Sequence, residues 1–95
     1  MQQNDTKENE ILKQIETLAG LFFTIDEISI HLQLDESELR REIRGRKTPR
    51  AKAYWKGKLE QMIELRKELV MYAKKGSNAA DTIINELIAK QKTKE

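Results

Sequence analysis

The sequence predicts an all-α protein: an N-terminal three-helix unit with a helix-turn-helix, then a long helix and a C-terminal helix in an antiparallel hairpin. Its 95 residues include one proline and four glycines, so few positions interrupt a helix. Apolar residues recur at spacings of three and four, and no alternating run is long enough for a strand. We divide the chain at residue 48 into a helix-turn-helix unit, residues 1–47, and a helical hairpin, residues 48–95.

The first helix is predicted from a stripe of five apolar residues near the N-terminus. Asp5 or Thr6 would cap its start. Gly20 would end it, because glycine tolerates the left-handed conformation that follows a helix. The stripe consists of Ile11, Leu12, Ile15, Leu18 and Ala19.

Two short helices follow, and only three residues separate them. Thr24 and Glu27 form a capping box, in which the hydroxyl and the carboxylate each accept a backbone N–H at the helix start. Asp35 and Glu38 repeat this spacing, so a third helix begins there and ends near Gly45.

Two short helices joined by a tight turn predict a helix-turn-helix. Small or apolar residues occupy the positions that such a unit buries. These are Ile28, Ser29 and Leu32 in its first helix, Leu34 in the turn, and Leu39 and Ile43 in its second helix. Gln33 stands where a glycine is usual, so we expect it to adopt a less favoured backbone conformation.

Thr48 is predicted to cap the start of the long helix. Pro49 follows at the first helical position, where its missing N–H costs nothing. Only Gly57 interrupts the helical pattern as far as Lys75. We interpret Gly57 as a point of close packing or a slight bend.

The C-terminal hairpin turns at Gly76, and Ser77 or Asn78 caps the last helix. The apolar arc of the long helix is wider than one short partner helix can cover. We therefore expect a homo-oligomer that assembles through residues 50–90.

The net charge of +2 conceals an uneven distribution. Residues 1–38 carry a net charge of −7, residues 39–58 carry +8, and residues 59–95 carry +1. A solvated, charged helix surface is the ordinary explanation of a basic segment. The sharper explanation is a surface that binds a polyanion, and double-stranded DNA is the partner that a helix-turn-helix predicts. We therefore assign DNA binding to residues 1–47 and oligomerisation to residues 48–95.

The predicted DNA-binding residues begin in the second helix of the helix-turn-helix and continue into the long helix. Ser37, Arg40, Arg41 and Arg44 would face the major groove, where arginine suits both phosphates and guanine. The cluster Arg46, Lys47, Arg50 and Lys52 would bind phosphates. Glu36 and Glu38 act against this prediction, since they repel phosphates, and a three-helix unit that binds protein is the alternative.

Tyr54 and Trp55 lie beside the basic cluster. They could stack on an unpaired base. We favour the other interpretation, in which they pack the long helix against its neighbours.

The chain resembles the small subunit of phage terminases over about residues 20–90. The helix-turn-helix is followed by three segments that carry the likeness, of which the turn at 73–80 is the most telling. Residues 50–59 read RAKAYWKGKL, residues 65–69 read LRKEL, and residues 73–80 read AKKGSNAA.

The resemblance implies a protein that binds packaging-site DNA through its helix-turn-helix and forms a ring through the following helices. It assigns DNA-facing roles to Ser37, Arg40, Arg41 and Arg44, and assembly to residues 59–87. It also implies a partner, the separate large subunit that carries the ATPase and nuclease. Since the chain stops at residue 95, we expect no C-terminal segment of the kind that commonly engages that subunit, as in a reduced or host-resident relative.

Catalysis has few candidate residues, so we expect a protein that is not an enzyme and needs no cofactor or metal. The sequence has no cysteine, no glycine-rich phosphate loop and no metal-ligand spacing. His31 is the only histidine, and we expect a partly buried surface residue rather than a general base. No segment is long and apolar enough to span a membrane, and the polar start is not a signal peptide, so we expect a cytoplasmic protein.

Two alternative functions remain. The first is a helix-turn-helix transcriptional or mobile-element regulator, which would be a dimer on two half-sites. The second is a helical protein–protein adaptor, which the wide apolar arc of the long helix favours.

Overall fold

A computed structural model of the chain describes the backbone of residues 2–95 and the side chains of residues 6–95. Those residues form five α-helices and no strand, so the predicted all-α class is confirmed. The helices are α1 (Gln2–Gly20), α2 (Ile25–Leu32), α3 (Glu36–Gly45), α4 (Pro49–Lys74) and α5 (Asn78–Lys94).

The chain forms two compact units, of which one ends at Met62 and the other runs from Ile63 to Glu95. The division falls inside α4, whereas the sequence analysis places it at residue 48. The reason is that Ala51, Ala53 and Tyr54, at the start of α4, are buried in the first unit. The predicted division of function at residue 48 stays a prediction.

Four helices begin at a side chain that the sequence predicts as a cap. The caps are Thr24, Asp35, Thr48 and Ser77. Each side-chain oxygen accepts the backbone N–H three residues ahead, at 2.9–3.2 Å. Glu27 returns the bond by accepting the Thr24 N–H at 2.9 Å, which completes the capping box. Such a cap stabilises a helix by about 1 kcal/mol.

The start of α1 differs from its prediction. Its helical backbone begins at Gln2, so the expectation that Asp5 or Thr6 caps the helix is wrong. No glycine or proline lies between Gln2 and Thr6, and nothing there prevents the helix from extending past the predicted start.

The end of α1 is a Schellman motif centred on Phe22 rather than on a glycine. The Phe23 N–H donates to the Leu18 carbonyl at 3.1 Å, and the Phe22 N–H donates to the Ala19 carbonyl at 3.0 Å. Phe22 has a φ of 67°, which is left-handed. The prediction that Gly20 supplies this conformation is therefore wrong, because Gly20 is the last residue of the helix itself.

A left-handed residue also follows α2, α3 and α4. Two hydrogen bonds close α2: the Gln33 N–H donates to the Ile30 carbonyl, and the Leu34 N–H donates to the Ser29 carbonyl. Gln33 has a φ of 58°, which confirms the less favoured conformation predicted for the turn. Arg46 ends α3 at a φ of 61°, and Gly76 ends α4 at 96°. For residues other than glycine this conformation costs about 1–2 kcal/mol each.

The core of the first unit takes residues from all four of its helices. Its buried members are Ile15, Ala19, Ile28, Leu39, Ile43, Ala53 and Tyr54. Ile28 and Leu39 are fully enclosed, and they join the two helices of the helix-turn-helix. Ser29 is also buried, and its hydroxyl donates to the Ile25 carbonyl at 2.8 Å. The predicted packing of the helix-turn-helix is therefore confirmed.

Helices α1 and α4 approach each other through their backbones. A Cβ added at Gly57 would lie 2.0 Å from the carbonyl oxygen of Glu16, and one added at Gly20 would lie 3.1 Å from the carbonyl oxygen of Gly57. A real Cβ cannot occupy the first of these positions. Gly57 is therefore a point of close packing, as the sequence analysis expects.

The second unit is a helical hairpin with very little buried surface. Its turn uses the predicted Gly76, and the Ser77 N–H donates to the Tyr72 carbonyl at 3.0 Å. Among residues 63–95, only Ala80 is buried. Seven large apolar residues of this unit are exposed: Ile63, Leu65, Val70, Met71, Tyr72, Ile83 and Ile88.

We predict that Gly57→Ala destabilises the protein by about 2–3 kcal/mol. The added methyl group meets the α1 backbone, and this overpacking exceeds the gain in helix propensity of about 1 kcal/mol. Thermal and urea unfolding followed by circular dichroism measure the change. Gly45→Ala is the matched control, because nothing lies within 4 Å of a Cβ there, and it should be neutral or stabilising. Equal stability of the two variants would contradict the close contact.

Candidate nucleic-acid interface

The packing of α3 decides which of its side chains face outward. Leu39 and Ile43 are buried on one side of the helix. The opposite side carries Ser37, Arg40, Arg41 and Arg44, which together line a shallow depression of about 310 Å³. The structure therefore brings together the four residues that the sequence predicts to face the major groove.

The N-terminal end of α3 is held in place by the turn before it. Asp35 caps the helix by accepting the Glu38 N–H at 2.9 Å. In the turn, the Leu34 N–H donates to the Ser29 carbonyl at 2.9 Å, and Leu34 packs against the core. The orientation of α3 relative to α2 is therefore fixed by backbone bonds as well as by core packing.

The C-terminal end of α3 is held by Trp55 from α4. The indole Nε1–H donates to the carbonyl of Ile43 at 3.0 Å, one of the terminal carbonyls that lack a partner within the helix. Arg46 stacks over the Trp55 ring, with its guanidinium carbon 4.2 Å from the ring centroid. Trp55 therefore packs the long helix against α3, as the sequence interpretation favours, and Tyr54 beside it is buried.

Arg40 is held by two carboxylates. Its Nη2 donates to Glu36 Oε1 at 3.0 Å and also to Oδ1 of Asp26 on α2. These contacts raise the pKa of Arg40 above its ordinary value, first through the hydrogen bond that Arg40 donates to Glu36 and also through Asp26. Arg40 thus keeps its charge, but that charge is offset in the free protein.

Arg41, Arg44, Lys47 and Lys52 form a different class. All four are exposed. Within residues 6–95, none of them has an ion-pair partner within 4.0 Å. These cations can bind phosphates without first giving up an internal contact.

Arg50 lies in an internal ion-pair cluster. Its Nε and Nη2 donate to the two carboxylate oxygens of Glu8 at 2.9 and 3.0 Å, and its Nη1 lies 3.8 Å from Glu42 Oε2. The hydrogen bond from Arg50 holds the pKa of Glu8 below its ordinary value, and Glu8 in turn raises the pKa of Arg50. The cluster links α1, α3 and α4, so Arg50 has a structural role that its place in the basic segment did not indicate.

The carboxylates that engage the arginines are the residues that sequence reasoning missed. Asp26 lies 14 positions before Arg40, and Glu8 lies 42 positions before Arg50. Each pair joins two different helices, so no spacing within one helix predicts it. The only local signal is Glu36, which stands four residues before Arg40 as in common helix pairs.

Other kinds of site find little support in the described part of the chain. No three side chains of the metal-binding types come together within residues 6–95. His31 is exposed, whereas the sequence analysis expects it to be partly buried. Among residues 2–95, none of the helices combines the length and the apolar character needed to cross a bilayer.

Comparison with known proteins adds no relative: no protein-family model, no curated protein and no solved structure matches this chain.

The Glu8–Arg50 pair leads to a prediction about pH. Because the pKa of Glu8 is lowered in the folded state, the pair stabilises the fold at neutral pH. This contribution is lost as the pH falls below about 4.3, the ordinary pKa of a glutamate, towards the lower value in the folded state. The pair is partly exposed, so Glu8→Gln should lower the free energy of unfolding at pH 7 by no more than about 1 kcal/mol.

Urea unfolding at pH 7 and at pH 3 measures this difference. The difference in the free energy of unfolding between the native protein and Glu8→Gln should be smaller at the lower pH. Glu10→Gln, on the same helix, is the control, because Glu10 has no ion-pair partner among the described residues. If the difference in the free energy of unfolding stays constant with pH, the pair does not stabilise the fold.

Proposed function

We propose that the protein binds double-stranded DNA, with α3 in the major groove, as one subunit of an oligomer of the small-terminase type. In that role it would recognise packaging-site DNA and regulate a separate large subunit. The observation that carries the DNA proposal is the outward face of α3, where Ser37, Arg41 and Arg44 are exposed. The sequence resemblance over about residues 20–90 supports the terminase setting.

The cations of the interface divide into two roles under this proposal. Arg41 and Arg44 lie on α3 itself, close to the bases in a helix-turn-helix complex. Lys47 and Lys52 lie beyond its C-terminal end, where phosphate contacts position the protein without reading sequence. Arg46 stacks on Trp55, and Arg50 pairs with Glu8 of α1 and Glu42 of α3, so these two arginines contribute charge rather than direct contacts.

The assembly proposal depends on the exposed apolar residues of the hairpin. An unassembled protein seldom exposes so many large apolar side chains in so short a segment. Tyr72, with 52% of its surface exposed, and Met71 lie near the end of α4, and Ile83 lies on α5. All three belong to the predicted assembly region, residues 50–90.

We predict that Arg41→Ala combined with Arg44→Ala weakens binding to a duplex about tenfold to a hundredfold at low salt. On a random-sequence duplex, which offers no defined site, the two arginines would neutralise phosphates, so the slope of log K against log salt should become shallower by about two. Fluorescence anisotropy with a labelled random-sequence duplex, titrated at several salt concentrations, measures both quantities.

The control for charge alone is Arg66→Ala with Lys74→Ala, which removes two cations from residues 63–95. This variant should change affinity and slope far less. A native protein that binds no duplex at low salt, or a slope near zero, would contradict the DNA proposal.

We predict that Met71→Glu combined with Ile83→Glu converts the oligomer into monomers without loss of helix content. Both residues are exposed in the single chain, so the charges should disrupt only contacts between subunits. Native mass spectrometry measures the subunit number. Ile30→Glu is the control, because Ile30 is an exposed apolar residue of the first unit and its replacement should leave assembly intact.

The subunit number also separates the proposal from its alternatives. A closed ring of more than two copies supports the terminase setting. A two-fold dimer would favour the regulator, whose half-sites follow the duplex repeat. A monomer that ignores DNA would contradict both parts of the proposal and favour the adaptor.

A further inference from the structure

Arg40 differs from the other arginines on the outward face of α3 in being bound by carboxylates. Asp26 reaches it from the first turn of α2, and Glu36 reaches it from the first turn of α3. Arg41 and Arg44, on the same face, have no such partner within residues 6–95. Arg40 is therefore the arginine of this surface whose binding to DNA has to compete with an internal contact.

The competition depends on which guanidinium nitrogen is occupied. Both carboxylates accept from the same atom, Nη2 of Arg40. A guanidinium has two edges that bind an acceptor pair side by side, one formed by Nε and Nη2 and the other by Nη1 and Nη2. Each edge needs Nη2. In the free protein Arg40 therefore cannot make a bidentate contact with a phosphate or a guanine until it leaves at least one carboxylate.

We propose that Asp26 and Glu36 form a carboxylate latch on Arg40, and that Asp26 is a specificity-determining residue that acts through this latch. The inference rests on the proposed DNA-binding function. A phosphate, which every sequence presents, has to displace a carboxylate that already neutralises the arginine. A guanine within reach offers two acceptors, O6 and N7. The two hydrogen bonds that Arg40 donates to them compensate for the loss of its bond to a carboxylate. The latch therefore lowers affinity for DNA that offers Arg40 only phosphates.

Asp26 is the member of the latch that reaches Arg40 from a different helix, and its side chain makes no other hydrogen bond or ion pair within residues 6–95. The α2 cap uses Thr24 and Glu27, so Asp26 is free of the capping box. Asp26 is exposed and outside the core. Glu36, in contrast, pairs with Arg40 along a single helix, four residues apart, which is common in exposed helices. Asp26 thus tests the latch with the least disturbance of the fold.

A double-mutant cycle tests the inference. The native protein, Asp26→Asn, Arg40→Ala and the double variant are titrated with a random-sequence duplex at several salt concentrations. Asp26→Asn should bind about three- to tenfold more tightly than the native protein, and its salt slope should steepen by about one, since Arg40 then neutralises a phosphate. In the Arg40→Ala background the same replacement should have a much smaller effect.

Two controls separate the latch from simple loss of negative charge or of stability. Glu38→Gln removes a carboxylate from the first turn of α3 that makes no contact with Arg40, so its effect should be the same with and without Arg40. Melting curves check that every variant is folded. If Asp26→Asn melts at a lower temperature, Asp26→Ser takes its place, because it also lacks the carboxylate.

The outcomes distinguish the latch from the function on which it rests. Equal tightening by Asp26→Asn in both backgrounds, or no tightening in a native protein that binds DNA, would overturn the latch and leave the DNA proposal standing. Failure of every variant to bind at low salt would overturn both. Tighter binding by Asp26→Asn that requires Arg40 supports the latch.

Discussion

The backbone contact between α1 and α4 at Gly57 is the constraint on which the first unit depends. The close approach brings the start of α4 into the core, where Ala53 and Tyr54 are buried. Trp55 is then placed to bond the last turn of α3. A side chain at residue 57 would move α4 away from α1 and with it the support of α3. The position of α3, the proposed DNA-facing helix, therefore depends on the contact between α1 and α4.

The arginines and lysines of residues 40–52 are not equivalent, although the sequence presents them as one basic segment. Arg50 links three helices through Glu8 and Glu42, and Arg46 stacks on Trp55. Arg40 is neutralised by Asp26 and Glu36, while the rest of the segment is uncommitted. Net charge thus overstates the number of cations ready to bind a polyanion, because part of it is already offset inside the fold.

Local sequence signals predicted most of the fold. Thr24, Asp35, Thr48 and Ser77 were identifiable as caps, because capping depends on residues within one helical turn. The outward face of α3 could also be predicted, since Leu39 and Ile43 define its buried side. The ion pairs between helices could not, because Asp26 and Arg40 meet only once the helices have packed. The left-handed residue after α1 could not be predicted, because Phe22, which lacks the freedom of glycine, adopts that conformation instead of Gly20.

The left-handed residues at the ends of α1 and α2 leave the protein below the stability that its fold could reach. Phe22 and Gln33 occupy a conformation that glycine adopts without steric cost, and neither belongs to the outward face of α3. Natural sequences commonly retain such reserves, because selection removes only variants that fall below a working threshold. Evolution or engineering can therefore strengthen the scaffold at these two turns without redesigning its surface chemistry.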